Sequence, residues 1–205
     1  EMVAEADEKL MERFFEAGTL TDQELVAGLR SATIAGKLFP LVCTSALLNI
    51  GVQPLLDAVL SCLPSPVDRP FRGLDKAGAD VACAADEKKA PAAFVWKTIA
   101  DPFAGRITMF RVISGTLKSD SSVLNKTRDS QERLGHLIVL QGKTQTTVSE
   151  IKAGDLGAVA KLKDTLTNDV LGDKADQTTF PAIKFPEPVL AYAIEPKTRG
   201  DEDKI

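Results

Sequence analysis

Few residues of this chain could carry out chemistry by themselves. His136 is the only histidine, and its surroundings offer none of the spaced partners that a catalytic triad or a metal site requires. Asp155, Asp164 and Asp169 lie near turn signals, where an aspartate commonly bonds its own backbone. We therefore predict structural roles for these four residues, with no catalytic residue and no metal ligand among them.

The three cysteines, Cys43, Cys62 and Cys83, show no CxxC spacing and are odd in number, which argues against a disulfide framework or a metal site. Cys43 and Cys62 lie in apolar runs, so we expect both to be buried. This use of cysteine fits a reducing compartment and favours a cytoplasmic location. Trp96 and the dispersed phenylalanines are expected to be core residues rather than a stacking surface.

One loop has a better position for binding a ligand. Ser45, Ala46 and Leu47 follow a continuous apolar run, residues 38–43, which predicts a buried strand. An amphipathic helix is predicted soon after them, over residues 52–63. Loops that leave the carboxyl ends of strands are where α/β sheets bind ligands. The tripeptide alone is a weak signal, because ordinary strand-to-helix turns occupy the same position.

Two further helices are predicted near the amino terminus. Apolar residues recur with helical spacing over residues 2–16. Thr21 and Glu24 have the spacing of a capping box, in which each side chain bonds the other residue's amide. The apolar stripe of a second helix follows them and closes near Gly36.

The rest of the chain has β patterning. Residues 67–91 are rich in Pro, Ala, Gly and charge, and predict a linker. Short apolar segments separated by turn signals follow, a pattern typical of a closed β-barrel or sandwich. The predicted strands cover residues 93–99, 106–113, 122–126, 133–140, 144–149 and 156–162. A last apolar run, residues 189–194, predicts one strand of another domain before a polar helix that begins near Gly200.

Charge is unevenly distributed along a chain whose net charge is −4. Residues 1–16 carry six acids and two bases, whereas residues 93–152 carry nine Lys/Arg and five Asp/Glu. The overall sign argues against wholesale nucleic-acid binding and predicts no DNA partner, yet a local basic face can contact phosphates. No apolar run approaches the ~18 residues of a transmembrane helix, so no membrane partner is expected.

Long stretches of the sequence resemble one family in the same order. LVCTSALLNIGVQPLLDAVLSCLPSP resembles the end of the GTPase domain of bacterial elongation factor G and its paralogues, which are translational GTPases. The opening AEADEKLMERFFEAGTLTDQELVAGLRSATIAGKLFP is similar to the last helices of the subdomain inserted in that domain. FVWKTIADPFAGRITMFRVISGTLKSDSSVLN and AGDLGAVAKLKDTLTNDVL resemble the family's second-domain β-barrel. FPEPVLAYAIEPKTRGDEDKI is similar to the beginning of the third domain.

The resemblance implies an α+β multi-domain fragment. Residues 1–66 would be the carboxyl-terminal remnant of a P-loop GTPase α/β domain with the tail of its inserted helical subdomain. Residues 67–91 would be a linker, and residues 92–184 the β-barrel called domain II. Residues 185–205 would be the first strand and beginning of a ferredoxin-like domain III.

The resemblance also implies a nucleotide contact. The family's serine-alanine pair is its fifth nucleotide motif, whose backbone helps to recognise guanine, and this assigns Ser45, Ala46 and Leu47 to the guanine side of the GTP site in a full-length parent. The parent would bind GTP with Mg²⁺. The sequence contains no GxxxxGK[ST] and no GxGxxG, so the chain has no phosphate cradle of its own. We therefore expect that the chain alone neither binds nor hydrolyses GTP.

The parent implied by the resemblance is cytoplasmic and couples GTP hydrolysis to the movement of tRNA and mRNA on the ribosome. Its barrel would lean on small-subunit ribosomal RNA and proteins. Lys126, Arg128, Arg133 and Lys143 cluster around predicted strand ends and are our candidates for contact with that RNA. Their alternative role is that of ordinary solvated charges.

Two departures from the family pattern favour a divergent paralogue. Residues 140–144, LQGKT, stand where many elongation factor G sequences have a methionine and histidines, and Thr44 stands where glycine is usual. A ribosome-protection or recycling GTPase is therefore an alternative to the translocase. A second alternative is a stand-alone, non-catalytic barrel that binds the ribosome or RNA.

Overall fold

The computed structural model describes residues 1–101, 104–174 and 178–197. The chain divides into two compact units, Glu1–Ser65 and Pro66–Ile205. In the described residues, the regular structure of the first unit is helical and that of the second consists of β-strands.

The first unit contains a 3₁₀ turn and three helices. The turn is Ala4–Ala6, and the helices are α1 (Glu8–Ala17), α2 (Asp22–Ile34) and α3 (Val52–Cys62). Helix α1 begins at Glu8 because the Asp7 carboxylate accepts hydrogen bonds from the amides of Lys9 and Leu10, at 2.9 and 3.2 Å. The predicted helix over residues 2–16 therefore has the wrong beginning.

Helix α2 begins with the predicted capping box. The Thr21 hydroxyl accepts from the Glu24 amide at 3.3 Å, and the Glu24 carboxylate accepts from the Thr21 amide at 3.0 Å. Glu24 also forms an ion pair with Arg13 at 2.7 Å, which links α2 to α1. At the other end of the helix, Arg30 donates to the Ser61 carbonyl on α3 at 2.9 Å.

The predicted buried strand at residues 38–43 is wrong. These residues form no strand, and Phe39 and Leu41 are 83% and 92% exposed. A strand needs neighbours for its amides and carbonyls, and the first unit contains no other strand among its described residues. Cys43 is consequently exposed, against expectation, whereas Cys62 is buried as predicted.

The second unit contains twelve strands within its described residues. They are β1 (Phe71–Leu74), β2 (Asp80–Cys83), β3 (Ala92–Asp101), β4 (Gly105–Ser114), β5 (Thr116–Lys118), β6 (Ser122–Asn125), β7 (Ser130–Arg133), β8 (Leu137–Gln141), β9 (Thr144–Val148), β10 (Glu150–Lys152), β11 (Leu156–Ala160) and β12 (Val170–Gly172).

The strands form one large sheet and two small ones, and every pairing is antiparallel. The large sheet has eight strands in the order β7-β6-β12-β3-β4-β11-β8-β9, and the small sheets pair β1 with β2 and β10 with β5. Strands β3 and β4 form its longest hairpin, with register shifts between Ala92 and Ala93 and between Val95 and Lys97. Such bulges bend a strand and help a sheet to curl.

A large hydrophobic core shows that the eight-stranded sheet curls around a common interior. It contains residues from β3, β4 and β12 in the middle of the sheet and from β6, β8 and β11 on either side, together with residues from the β10-β5 pair. Val148 of the edge strand β9 packs against it. The core residues are Ala93, Val95, Phe110, Val112, Leu117, Val123, Leu134, Leu137, Ile151, Val159, Leu162 and Leu171.

Three predictions for this unit need correction. The segment 67–91, predicted to be a linker, contains the β1–β2 hairpin. The predicted strand 133–140 is divided between β7 and β8, because residues 134–136 leave the sheet. Residues 189–194 form no strand, and Val189 is fully exposed, since no described strand pairs with them. The helix predicted near Gly200 lies outside the described residues.

Among the helices that the structure describes, none combines the length and the apolar character needed to cross a bilayer.

Candidate functional site

Ser45, Ala46 and Leu47 lie in a closed loop that precedes α3. The Ser45 amide donates to the Ile50 carbonyl at 2.9 Å, and the Ile50 amide returns a bond to the Ser45 carbonyl at 3.1 Å. Inside this ring the Ser45 hydroxyl accepts from the Leu48 amide at 3.4 Å. These hydrogen bonds hold the loop closed, although the predicted strand before it does not form.

Gly51 holds the loop against the beginning of α3. Its φ is +74°, and a Cβ there would lie 2.9 Å from the Cys43 carbonyl oxygen. Both the left-handed backbone and the close approach require glycine at this position. Gly51 thereby fixes the junction between the loop and α3.

The loop leaves two backbone donors unused. Within the described residues, the amides of Ala46 and Leu47 donate to no protein acceptor, and the Leu47 side chain is 96% exposed. Unpaired amides of this kind can hold an acceptor such as a base carbonyl.

Lys126 and Arg128, two candidates for RNA contact, both hold other parts of the barrel. Lys126 Nζ donates to the Thr178 carbonyl at 2.8 Å. Arg128 Nε lies 2.7 Å from Oδ2 of Asp169, whose side chain is almost completely buried. Asp169 was predicted to be a turn former, and it also does this by accepting from the Leu166 amide at 2.8 Å.

Arg133 and Lys143, the other two candidates, are exposed. Arg133 is the last residue of β7, and Lys143 lies in the turn that joins β8 to β9. Neither side chain has a hydrogen bond or ion pair with another described residue. The structure therefore leaves the charges of these two candidates available to solvent.

A buried carboxylate, which sequence reasoning missed, organises the loop after β11. Glu132 accepts from the amides of Lys163, Asp164 and Thr165 at 3.0, 2.8 and 3.0 Å, and from the Thr165 hydroxyl at 2.8 Å. Burial raises the pKa of Glu132, but these hydrogen bonds lower it more, so the group titrates below its ordinary range. Arg106 completes the arrangement by donating to the Leu162 and Lys163 carbonyls.

Trp96 was predicted to be core, and this is wrong. Its side chain is 37% exposed and lines an apolar groove of about 500 Å³ with Phe71, Phe94 and Leu156. Arg111 lies over the Phe71 ring, 4.7 Å from its centroid. The phenylalanines, also predicted to be core, are divided: Phe110 is completely buried, whereas Phe15, Phe39 and Phe185 are exposed.

No cluster of three or more His, Cys, Asp or Glu side chains in the part of the chain that the structure describes could hold a metal ion. His136 is exposed and lies 3.9 Å from Asp120.

The second unit is an antiparallel sheet that curls around one hydrophobic core, which is the architecture of a β-barrel. Residues 90–174 match the family model of elongation factor G domain 2. The barrel segment therefore belongs to the elongation factor G domain 2 family, and the chain is an elongation factor G-like translation-factor sequence.

A solved structure supports the same relationship over nearly the whole chain. The crystal structure of a protein from Thermus thermophilus is similar with a TM-score of 0.71 and 31% sequence identity. The similarity covers 98% of this chain and 28% of the Thermus chain. This chain therefore spans less than a third of the length of the protein it matches.

Proposed function

We propose that this chain is part of an elongation factor G-like translational GTPase, in which its barrel contacts the ribosome. The observation that carries this proposal is the match of residues 90–174 to elongation factor G domain 2, in a segment that folds as a barrel. Such a protein works in the cytoplasm and couples GTP hydrolysis to the movement of tRNA and mRNA.

The Ser45 loop would supply the guanine side of the GTP site in the longer protein. Its support is the closed geometry of the loop and the two unused amides of Ala46 and Leu47. GTP and Mg²⁺ would be held by residues that this chain does not contain, because its sequence has no phosphate-binding loop. The chain alone would then bind no nucleotide and hydrolyse none.

The barrel would contact small-subunit ribosomal RNA and proteins. Arg133 and Lys143 support this role best, because both side chains are exposed. Lys126 and Arg128 remain candidates, but each would have to share or leave an internal contact with Thr178 or Asp169. Phosphate contacts of this kind weaken steeply as salt increases.

Cosedimentation with purified small ribosomal subunits tests the ribosome contact. The chain is expected to pellet with the subunits at low salt and to be released as salt is added. The matched control is the chain centrifuged without subunits at each salt concentration. Failure of the folded chain to pellet at any salt concentration would refute the proposal.

Calorimetric titration with GTP and Mg²⁺ separately tests the proposal that the chain alone binds no nucleotide. No heat of binding is expected at nucleotide concentrations up to the millimolar range. A measured micromolar Kd would show that the chain possesses a nucleotide site of its own.

A further inference from the structure

We propose that RNA phosphates bind in a groove on the barrel surface, between the end of β7 and the end of β11, with Arg133, His136 and Lys161 as the contacting residues. The proposal rests on the proposed function, because it names the surface by which the barrel would hold ribosomal RNA. The groove has a volume of about 530 Å³.

The floor and the rim of this groove differ in chemistry. The floor is apolar and consists of Ala104, Ile138 and Ala160, which belong to a second hydrophobic cluster of the barrel. The rim carries Arg133, His136, Lys161 and the amide of Gln145. No Asp or Glu is among the described lining residues, although the chain has a net charge of −4.

The nearby acids do not cancel the positive rim. The carboxylate of Glu132, next to Arg133 in sequence, is buried and accepts four hydrogen bonds from residues 163–165. Asp120 faces His136 at 3.9 Å and is outside the lining. The Asp101 carboxylate accepts from the Ala104 amide at 2.7 Å. Arg133 and Lys161 therefore have no carboxylate partner among the described residues.

Lys161 has a strained backbone at this rim. Its φ is +63°, a left-handed conformation that residues with a Cβ rarely adopt. The conformation is held by the Lys161 amide, which donates to the Arg106 carbonyl at 2.9 Å. Glycine or asparagine would suit this position better for folding, and strained backbone is concentrated at functional sites. The lysine side chain is therefore the feature that needs a functional explanation.

RNA fits this combination better than an acidic protein segment does. Lysine and arginine neutralise phosphates, while the planar groups of Arg133 and His136 can stack on unpaired bases. The apolar floor gives a surface against which a ribose or base can pack. An acidic peptide could pair with the positive charges, but it has no bases on which the planar groups of Arg133 and His136 could stack.

Two variants can remove the proposed contact without disturbing the fold. Lys161→Asn deletes the charge and places at φ +63° a residue that tolerates it. Gly135→Glu puts a carboxylate at the groove, where a Cβ would meet no atom within 4 Å. Lys76→Asn is the matched control, because it removes an exposed lysine from the β1–β2 turn, which belongs to the same unit but lies outside the eight-stranded sheet.

The test is fluorescence polarisation of a labelled RNA hairpin with single-stranded loop bases, measured with the whole chain over a range of salt concentrations. Lys161→Asn and Gly135→Glu are expected to weaken binding at least about fivefold, and Lys161→Asn to lower the salt slope by about 0.7 to 0.9. Lys76→Asn is expected to bind as the wild type does. No variant should unfold at a temperature below that of the wild type.

The proposal is overturned if both groove variants bind the hairpin as tightly as the control. It is also overturned if polyglutamate at equal charge displaces the RNA, since the groove would then accept acidic protein segments. Cosedimentation with ribosomal subunits distinguishes a wrong groove from a wrong proposed function. In the first case the wild type and both variants still pellet equally with ribosomal subunits, and in the second case the wild type does not pellet.

Discussion

Arg128 and Asp169 form an ion pair in which Nε lies 2.7 Å from Oδ2, with side chains 41% and 4% exposed, respectively. The same carboxylate oxygen accepts from Asn125 Nδ2 at 2.9 Å and from the Leu166 amide at 2.8 Å. The arginine thus compensates a buried negative charge that fixes the loop between β11 and β12. Arg128 was a candidate for RNA contact because it lies near a strand end. The ion pair with Asp169 gives this arginine a structural role as well.

Replacing Arg128 with Gln is expected to lower the free energy of unfolding by about 1–2 kcal/mol, because the buried Asp169 loses its cation while keeping two neutral donors. Asp169→Asn in the Arg128→Gln background should recover part of that loss, since no charge is then left buried. Urea denaturation of the two variants measures both effects. If Arg128→Gln is as stable as the wild type, the ion pair contributes nothing to the free energy of unfolding.

Glu132 is expected to make the barrel sensitive to acid. Its pKa is lower in the folded chain than in the unfolded chain, so its ionisation stabilises the fold above the ordinary glutamate pKa of about 4.3. That contribution is lost as the pH falls from there through the lowered folded pKa. Stability should therefore decrease in this range as Glu132 becomes protonated.

The Glu132→Gln variant tests this acid dependence. It is expected to be about 2 kcal/mol less stable at neutral pH, because an amide cannot accept all the bonds that the carboxylate accepts. Its free energy of unfolding should also change less than that of the wild type between neutral and acidic pH. If the free energy of unfolding changes equally with pH in both proteins, Glu132 is not the group that causes the acid sensitivity.

Gly157 on β11 is fitted to Ile151 on β10. A Cβ at position 157 would lie 2.0 Å from Ile151 Cδ1 and 3.2 Å from Phe110 Cε2. Gly157→Ala should therefore destabilise the barrel by about 1–3 kcal/mol through overpacking. Ile151→Val removes Cδ1, and the double variant should lose less stability than the sum of the two single variants. Simple additivity in thermal unfolding would argue against the contact.

The Thr21 cap should contribute to the stability of the first unit alone. Thr21→Ala removes the acceptor for the Glu24 amide and is expected to lower the helical unit's stability by about 1 kcal/mol. Thr21→Ser keeps the hydroxyl and serves as the control. Hydrogen exchange of the α2 amides measures the effect, and equal exchange in both variants would show that the cap has no influence.

Local signals in the sequence were sufficient for the elements that stabilise themselves. The Thr21–Glu24 capping box and helix α3 are confirmed, because caps and helical hydrogen bonds involve only neighbouring residues. The predicted strands at residues 93–99 and 106–113 are also confirmed, as β3 and β4, which are adjacent in sequence and pair with each other. The resemblance to the elongation factor G family is supported by the match to its domain 2.

Features that depend on distant partners were not predictable in the same way. Residues 38–43 have the apolar pattern of a buried strand but have no strand to pair with among the described residues. Glu132 gave no signal because its partners are about thirty residues away, at 163–165. The groove beside Arg133 also needed the fold, since β7, β8, β9 and β11 all contribute to it.

Competition with an intact elongation factor G tests most directly whether this barrel binds the ribosome. Ribosome-stimulated GTP hydrolysis by the intact factor would be measured while the folded chain is added in excess. The proposed function predicts that the wild-type chain slows hydrolysis and that added salt relieves the inhibition. Unchanged hydrolysis, at chain concentrations well above those of the ribosomes and the factor, would contradict it.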